Sequence, residues 1–265
     1  MKRVVLFFLV CIVFFNVRAQ VYNQLDENLY KSRVKLVSEF FDRFNGIRSR
    51  PDVEESVNNR KDNILLLFDL AMFKSKQDSL FIEAESFAEK VLADSIRINY
   101  CDTTWCAKAR CKGTLSGKPI DFWLYLNVEN RESDMYKWVI SKAEGNVFSL
   151  ETAQQHKSFM LMPDDHEINF MSLYRMTSET PSYVKDYKSK GVIIDQTSVF
   201  FTMVKTGLLK IEYVDELSFL FFQIPGYMFS IKQVERENLN AGWLINSFGK
   251  ISESEREEFL NWLHH

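Results

Sequence analysis

The densest group of residues with acid–base chemistry is the run Asp164-Asp165-His166-Glu167, which holds one of only four histidines in the chain. An imidazole among carboxylates can carry a proton near neutral pH, and the same side chains can bind a metal ion. The run is also typical of a helix start, because Asp164 is followed three residues later by Glu167. We expect the structural role, and we keep His166, Asp164 and Glu167 as the catalytic candidates.

A second candidate site is a set of aromatic residues on neighbouring predicted strands: Trp105, Trp123, Tyr125 and Trp138. Such rings can line a ligand pocket, although rings at strand spacing more often belong to a core or a domain interface. Asp121 and Glu129 stand at the two ends of the middle strand, so neither carboxylate is expected to be a buried base. We therefore take the four aromatic residues as ligand-binding candidates.

Cysteines form a third group, Cys101, Cys106 and Cys111. Five residues of extended strand span roughly 16 Å, which exceeds the reach of a disulfide. A bridge therefore needs a turn between its partners, and residues 102–104 (DTT) can supply one. We expect a Cys101–Cys106 disulfide and a buried Cys111 thiol. No histidine lies near these cysteines in the sequence, so we expect no metal site.

The first residues have the three-part pattern of a secretory signal peptide. Residues 1–3 carry positive charge, residues 4–15 are apolar, and Val17 and Ala19 stand before a cleavage site. A membrane anchor is the alternative, but the apolar run is shorter than the ~20 residues that cross a bilayer. We expect cleavage after Ala19 and export of the protein to the periplasm or the exterior.

The composition of the chain limits the kinds of molecule that it is expected to bind. The formal charge is −3, and loss of Lys2, Arg3 and Arg18 leaves 30 basic against 36 acidic residues, a charge of −6. A mildly acidic chain without clustered Lys or Arg is a poor candidate for nucleic-acid binding. No later apolar run is long enough to span a membrane, and no Gly-rich phosphate loop or Gly-x-Ser-x-Gly motif occurs. We expect no membrane span after cleavage and no cofactor.

The N-terminal half predicts helices at residues 27–46 and 62–73 and a third from Asp78 or Ser79. Three antiparallel strands follow at residues 105–115, 120–130 and 135–145. The first helix carries one apolar stripe, formed by Tyr30, Val34, Val37, Phe41 and Phe44. One face of the middle strand is wholly apolar, formed by Phe122, Leu124, Leu126 and Val128. We expect the first helix to cover that face.

The C-terminal half predicts a helix from Asp164, another near residues 181–188 and a second meander. Its strands are expected at residues 199–206, 208–214, 217–224, 227–235 and 243–248. Residues 219–222 (FLFF) are apolar on both faces, which is typical of a central strand covered on both sides. A closing helix is expected to start at Ser252, with Glu255 completing a capping box.

Two segments carry a resemblance to a known family. They are residues 40–46 (FFDRFNG), which end the first predicted helix, and residues 136–140 (YKWVI), which close the first predicted meander. This arrangement resembles the NTF2-like (cystatin-like α+β) superfamily over the N-terminal half of the chain. The resemblance implies a helix lying in the concavity of a curved sheet. The whole chain more loosely resembles exported bacterial proteins that carry such a domain. The resemblance is topological and supplies no catalytic residues.

These observations predict an α+β protein with two helix-then-meander modules, at residues 20–148 and 149–265, after a signal peptide at residues 1–19. We expect non-catalytic binding of a small molecule or a protein partner in the cell envelope or outside it. The alternative is a small-substrate isomerase, dehydratase or hydrolase that uses a pocket carboxylate or His166 as proton carrier. A third interpretation is an assembly component that contributes only shape.

Overall fold

The computed structural model of the protein describes residues 33–47, 60–131, 135–149, 171, 189–237 and 239–264. The helices in these ranges are α1 (Val37–Asn45), α2 (Arg60–Leu66), α3 (Ser79–Ala93), α4 (Gln196–Lys205) and α5 (Glu253–His264). The strands are β1 (Trp105–Leu115), β2 (Lys118–Arg131), β3 (Met135–Glu144), β4 (Leu209–Phe221), β5 (Tyr227–Val234) and β6 (Gly242–Lys250). The fold class is α+β, as the sequence predicts. Within the described ranges, no helix is long and apolar enough to cross a membrane.

The six strands form one antiparallel sheet in the order β3-β2-β1-β4-β5-β6. Strand β1 of the first predicted meander therefore lies beside β4 of the second, so both meanders contribute to a single sheet. Gly113 of β1 marks the junction, because a Cβ built there would lie 2.2 Å from the carbonyl oxygen of Lys210 on β4. The two backbones approach so closely that a side chain at this position would force one of them to move.

The turn between β1 and β2 is tighter than the four-residue joint expected from the sequence. Ser116 and Gly117 both have positive φ, 49° and 80°, and β2 begins at Lys118. Positive φ at both central residues is the signature of a two-residue hairpin turn that matches strand twist. This turn places Lys112 opposite Asp121, and their side chains form an ion pair.

The chain divides into two compact units. The first comprises Met1–Ala109, Tyr125–Ser141 and Glu216–His265, and the second comprises Arg110–Leu124 and Lys142–Asp215. Helices α1, α2, α3 and α5 belong to the first unit, and α4 belongs to the second. Strands β1 to β4 each contribute residues to both units, whereas β5 and β6 lie wholly in the first.

The core of the first unit consists largely of aromatic rings. Phe221 of β4 and Phe229 of β5 are paired across the strands, and their rings stack at 4.7 Å. The ring of Phe40 on α1 lies 6.0 Å from Phe221, and that of Phe87 on α3 lies 6.0 Å from Phe229. Since burial of one such ring contributes about 1.5–3 kcal/mol, these contacts hold both helices against the sheet.

Helix α1 begins later than the stripe of apolar residues predicts. Val34 lies in extended backbone beside β6: its N–H donates to Ala241 and its carbonyl accepts from Trp243. The helix starts at Val37 and ends at Asn45, and Gly46, with a φ of 69°, gives the expected C-terminal stop. Val34 is still buried, so the stripe identifies core residues correctly although tertiary pairing overrides the helical conformation.

The predicted helix at residues 62–73 is likewise interrupted by β6. The N–H of Ile245 donates to Leu67 at 2.8 Å, and the N–H of Asp69 donates to Ile245 at 2.8 Å. Helix α2 therefore ends at Leu66, and a short 3₁₀ helix, Leu70–Met72, follows. Two chain segments that helical periodicity marks as helix thus pair with the same edge strand.

In the second unit, the strand predicted at residues 199–206 is wrong, because these residues belong to α4. Asp195 accepts from the N–H of Ser198, and the Ser198 hydroxyl accepts from the N–H of Asp195, a reciprocal cap that fixes the helix start. Phe200 of α4 packs against Phe122 at 6.0 Å and Phe148 at 5.8 Å. Phe122 is therefore covered by α4, not by the first helix as expected.

The break predicted between strands at residues 214 and 217 is absent, since β4 is one continuous strand. Asp215 and Glu216, which lie between the two predicted strands, belong to β4. Asp215 lies 3.9 Å from Lys112 in the second unit, and Glu216 lies 2.9 Å from Lys232 in the first. Charged side chains with cross-strand partners of opposite sign are compatible with a sheet surface.

Helix α5 covers the other face of the sheet in the first unit. Phe221 points to the face that α1 covers, and its neighbour Phe222 stacks on Phe259 of α5 at 4.6 Å. The prediction that β4 is central and covered on both faces is confirmed. The capping box at the start of α5 is also confirmed, since Glu255 accepts from the N–H of Ser252 at 2.9 Å.

Replacement of Phe41 by alanine should destabilise the protein strongly. Phe41 is buried against Trp105 at 5.2 Å and Phe221 at 5.6 Å, so truncation leaves a cavity between α1 and the sheet. We expect a loss of about 3–5 kcal/mol in the free energy of unfolding, measured by denaturant melts. Ser38→Ala in the same helix is the control, because Ser38 is exposed. Equal, small losses for both variants would contradict the position of α1.

Candidate functional site

The first unit carries one aromatic ring, Trp105, in contact with two others, Tyr100 and Trp138, and we call these three residues the aromatic platform. Trp105 is buried, and its ring meets Tyr100 at 6.1 Å and Trp138 at 4.8 Å, both edge to face. Tyr100 and Trp138 are each 41% exposed. Two partly open rings therefore flank a buried one, which leaves aromatic surface available to a ligand.

Local hydrogen bonds fix the loop that carries Tyr100. The indole N–H of Trp105, the first residue of β1, donates to the carbonyl of Tyr100 at 3.1 Å. Asn99 accepts from the N–H of Cys101 at 3.0 Å and exchanges two hydrogen bonds with the side chain of Gln223. The Tyr100 ring also stacks on Phe41 at 3.8 Å. The platform is therefore held in place before any ligand arrives.

Burial, together with the nearby carboxylate of Asp42, raises the pKa of the Tyr100 phenol to about 12. The hydroxyl consequently stays protonated at neutral pH and can donate a hydrogen bond to a ligand. Tyr136 precedes Trp138 by two residues on β3 and is also 41% exposed. Residues two apart on a strand share a face, so Tyr136 extends the aromatic surface.

The four aromatic residues predicted to line one pocket are divided by the structure. Trp105 and Trp138 lie together in the platform. Tyr125 lies on the opposite face, where its ring meets Trp262 of α5 at 5.0 Å. Trp123 is half-buried and belongs to the second unit. The platform thus contains two of the four predicted residues and adds Tyr100, which the sequence did not indicate.

A polar group, Lys108, Asn127 and His264, surrounds Tyr125 on that opposite face. Nδ2 of Asn127 lies 2.6 Å from Nδ1 of His264, and the Lys108 Nζ lies 5.3 Å from the centroid of the Tyr125 ring. Asn127 is buried, and its Oδ1 has no hydrogen-bond partner in the part of the chain that the structure describes. The contact with Asn127 orients the exposed imidazole of His264.

The expected Cys101–Cys106 bridge is absent from the described residues, where Cys101 and Cys106 are both thiols. Trp105 fills the core, and Cys106, the next residue of β1, projects to the other face, where it is fully buried. Burial raises the pKa of Cys106 to about 12 and also raises the pKa of Cys111. Both thiols are therefore protonated at neutral pH and are poor nucleophiles. Cys111 is buried, as expected.

Among the described residues, three carboxyl groups have pKa values below their ordinary range. Hydrogen bonds from the backbone N–H groups of Lys74 and Leu80 lower the pKa of Asp78. The ammonium of Lys112 lowers the pKa of Asp121, with a further contribution from Arg110. Hydrogen bonds from Ser252 lower the pKa of Glu255. Each shift makes the carboxylate a weaker base, the opposite of what general-base catalysis near neutral pH needs.

The acid–base candidates Asp164, His166 and Glu167 lie outside the described residues, so their roles stay predictions. Within the described ranges, no group of three or more His, Cys, Asp or Glu side chains is arranged to hold a metal ion. Comparisons of the chain with family models, with curated proteins and with solved structures found no match. The resemblance to the NTF2-like superfamily therefore also stays a prediction.

The thiols should differ sharply in reactivity. Cys101 is partly exposed, whereas Cys106 is buried and has a pKa of about 12, so alkylation of the native protein at pH 8 should modify Cys101 first. Mass spectrometry of peptides from the native and the denatured protein gives the order. Cys106 should react only after denaturation. Equal rates at both residues, or a Cys101–Cys106 bridge in the unreduced protein, would contradict the structure.

Proposed function

We propose that the protein is a non-catalytic binding protein, exported to the cell envelope or beyond, that takes a small molecule or a partner segment on the aromatic platform. The observation that carries the proposal is the half-exposure of Tyr100 and Trp138 on either side of buried Trp105. The export component rests on the sequence of residues 1–19.

The physical basis of binding is aromatic contact on a surface that needs no reorganisation. An aromatic pair contributes about 0.5–1.5 kcal/mol beyond the area that it buries. Because hydrogen bonds from Trp105 and Gln223 already fix the Tyr100 loop, a ligand does not have to order it. The protonated Tyr100 hydroxyl supplies a polar contact that can orient a planar or apolar ligand.

The chemistry of the described residues favours binding over catalysis. The resolved carboxyl pKa shifts are downward, and the Cys106 thiol is held protonated. His264 is exposed and is the only histidine among the described residues. The side chain that it contacts is the neutral carboxamide of Asn127 and not a carboxylate.

Replacement of Trp138 by alanine should weaken binding of planar apolar molecules without loss of fold. The probe is 1-anilinonaphthalene-8-sulfonate, and its affinity is measured by fluorescence titration. Loss of a ring contact and its buried area should raise the dissociation constant about tenfold. Far-ultraviolet circular dichroism and a thermal melt report on folding.

Trp262→Ala is the matched control, because Trp262 is also partly exposed but lies in α5 against Tyr125. It should leave probe affinity unchanged. Unaltered affinity in Trp138→Ala, or an equal loss in Trp262→Ala, would show that the platform is not the binding surface.

A further inference from the structure

The second unit exposes a strand edge at residues 208–214 (LLKIEYV). Strand β5 pairs with β4 only at Ser218–Phe221, and β1 occupies the other side of β4. Four of the five apolar side chains of this segment are open to solvent, Leu208 50%, Ile211 44%, Tyr213 55% and Val214 52%, whereas Leu209 is buried. Among the described strands, none covers this edge over residues 209–214. An open edge of this kind is a template for pairing with another strand.

The direction of each backbone group follows from the contacts with β1. The carbonyl of Leu208 accepts from the N–H of Ser116 at 2.8 Å, and the carbonyl of Lys210 faces Gly113. The N–H and C=O of one strand residue point to the same side, and successive residues alternate. The even residues from 208 to 214 therefore face β1, and Leu209, Ile211 and Tyr213 direct their backbone groups to the open edge.

The sequence of this edge is complementary to itself when it pairs antiparallel about Ile211. Ile211 then faces Ile211 of a second copy and exchanges both N–H···O bonds with it. Leu209 faces Tyr213, Leu208 faces Val214, and Lys210 faces Glu212, each pair occurring twice. Every opposed pair is apolar with apolar or basic with acidic, which is the favourable set for cross-strand neighbours.

Neighbouring registers lack this complementarity. A twofold axis through Glu212 sets two carboxylates directly opposite one another, and an axis through Tyr213 sets Ile211 opposite Asp215. Lys210 and Glu212 are both exposed, so a second copy can reach both charges.

We propose that the open edge of β4 at residues 208–214 is a homodimer interface, in which two copies pair antiparallel about Ile211. The occupant is a second copy of this chain because the charges and apolar residues of the segment match their own reversed sequence. The two Lys210–Glu212 pairs specify the register, and the apolar pairs bury surface that the single chain leaves in water.

A charge exchange tests both the interface and its register by sedimentation velocity over a range of protein concentrations. Wild type should show a concentration-dependent dimer. Lys210→Glu and Glu212→Lys each create two like-charge pairs and should raise the dimer dissociation constant about tenfold or more. The double variant Lys210→Glu/Glu212→Lys restores opposite charges and should restore the dimer. An equimolar mixture of the two single variants should form heterodimers.

Ile211→Pro provides an independent variant, because proline removes the outward N–H at the axis and leaves the groups that face β1 intact. It should abolish the dimer, whereas Lys205→Glu on exposed α4 should not affect it. Circular dichroism checks that each variant is folded. A monomer at all concentrations would overturn the proposal. So would a dimer that tolerates Lys210→Glu and Ile211→Pro, or single variants that the double variant fails to rescue.

Discussion

The pairing of β1 with β4 is the constraint on which the rest of the structure depends. The two strands begin at Trp105 and Leu209, about a hundred residues apart in the chain, so bringing them together costs entropy before any contact forms. Gly113 allows the backbones to meet at the carbonyl of Lys210. This pairing leaves β4 with Phe221 against α1 and Phe222 against α5, and it brings Trp105 to Phe221 at 5.3 Å. The platform and the open edge are consequences of the same pairing.

Much of the fold follows from local pattern. The limits of β1 and the N-cap of α3 at Asp78 agree with the sequence, since alternation and capping are properties of neighbouring residues. The failures have two causes. Val34 and Leu67 lie in helical patterns but pair with β6, a contact distant in the chain that periodicity does not contain. Residues 196–205 have strand-like composition but are capped as a helix by Asp195, a local signal that composition does not contain.

The candidate site was predictable only in part. Trp105 and Trp138 stand out as aromatic residues on predicted strands, and both lie in the platform. Tyr100 does not stand out in the sequence, because it lies in a loop. The position of that loop depends on Gln223 and Phe41, which are far away in the sequence. The contact of Asn127 with His264 joins residues 137 positions apart, and a histidine near the end of the chain carries no local signal.

The most direct test of the account is the stability of Gly113→Ala measured beside Gly249→Ala by denaturant melts. A Cβ at residue 113 meets the Lys210 carbonyl at 2.2 Å, whereas a Cβ at residue 249 meets no atom within 4 Å. The pairing of β1 with β4 predicts a loss of about 2–3 kcal/mol for Gly113→Ala. Gly249→Ala should be unchanged or slightly more stable, because alanine restricts the unfolded chain. Equal stability of the two variants would contradict the pairing and the single sheet built on it.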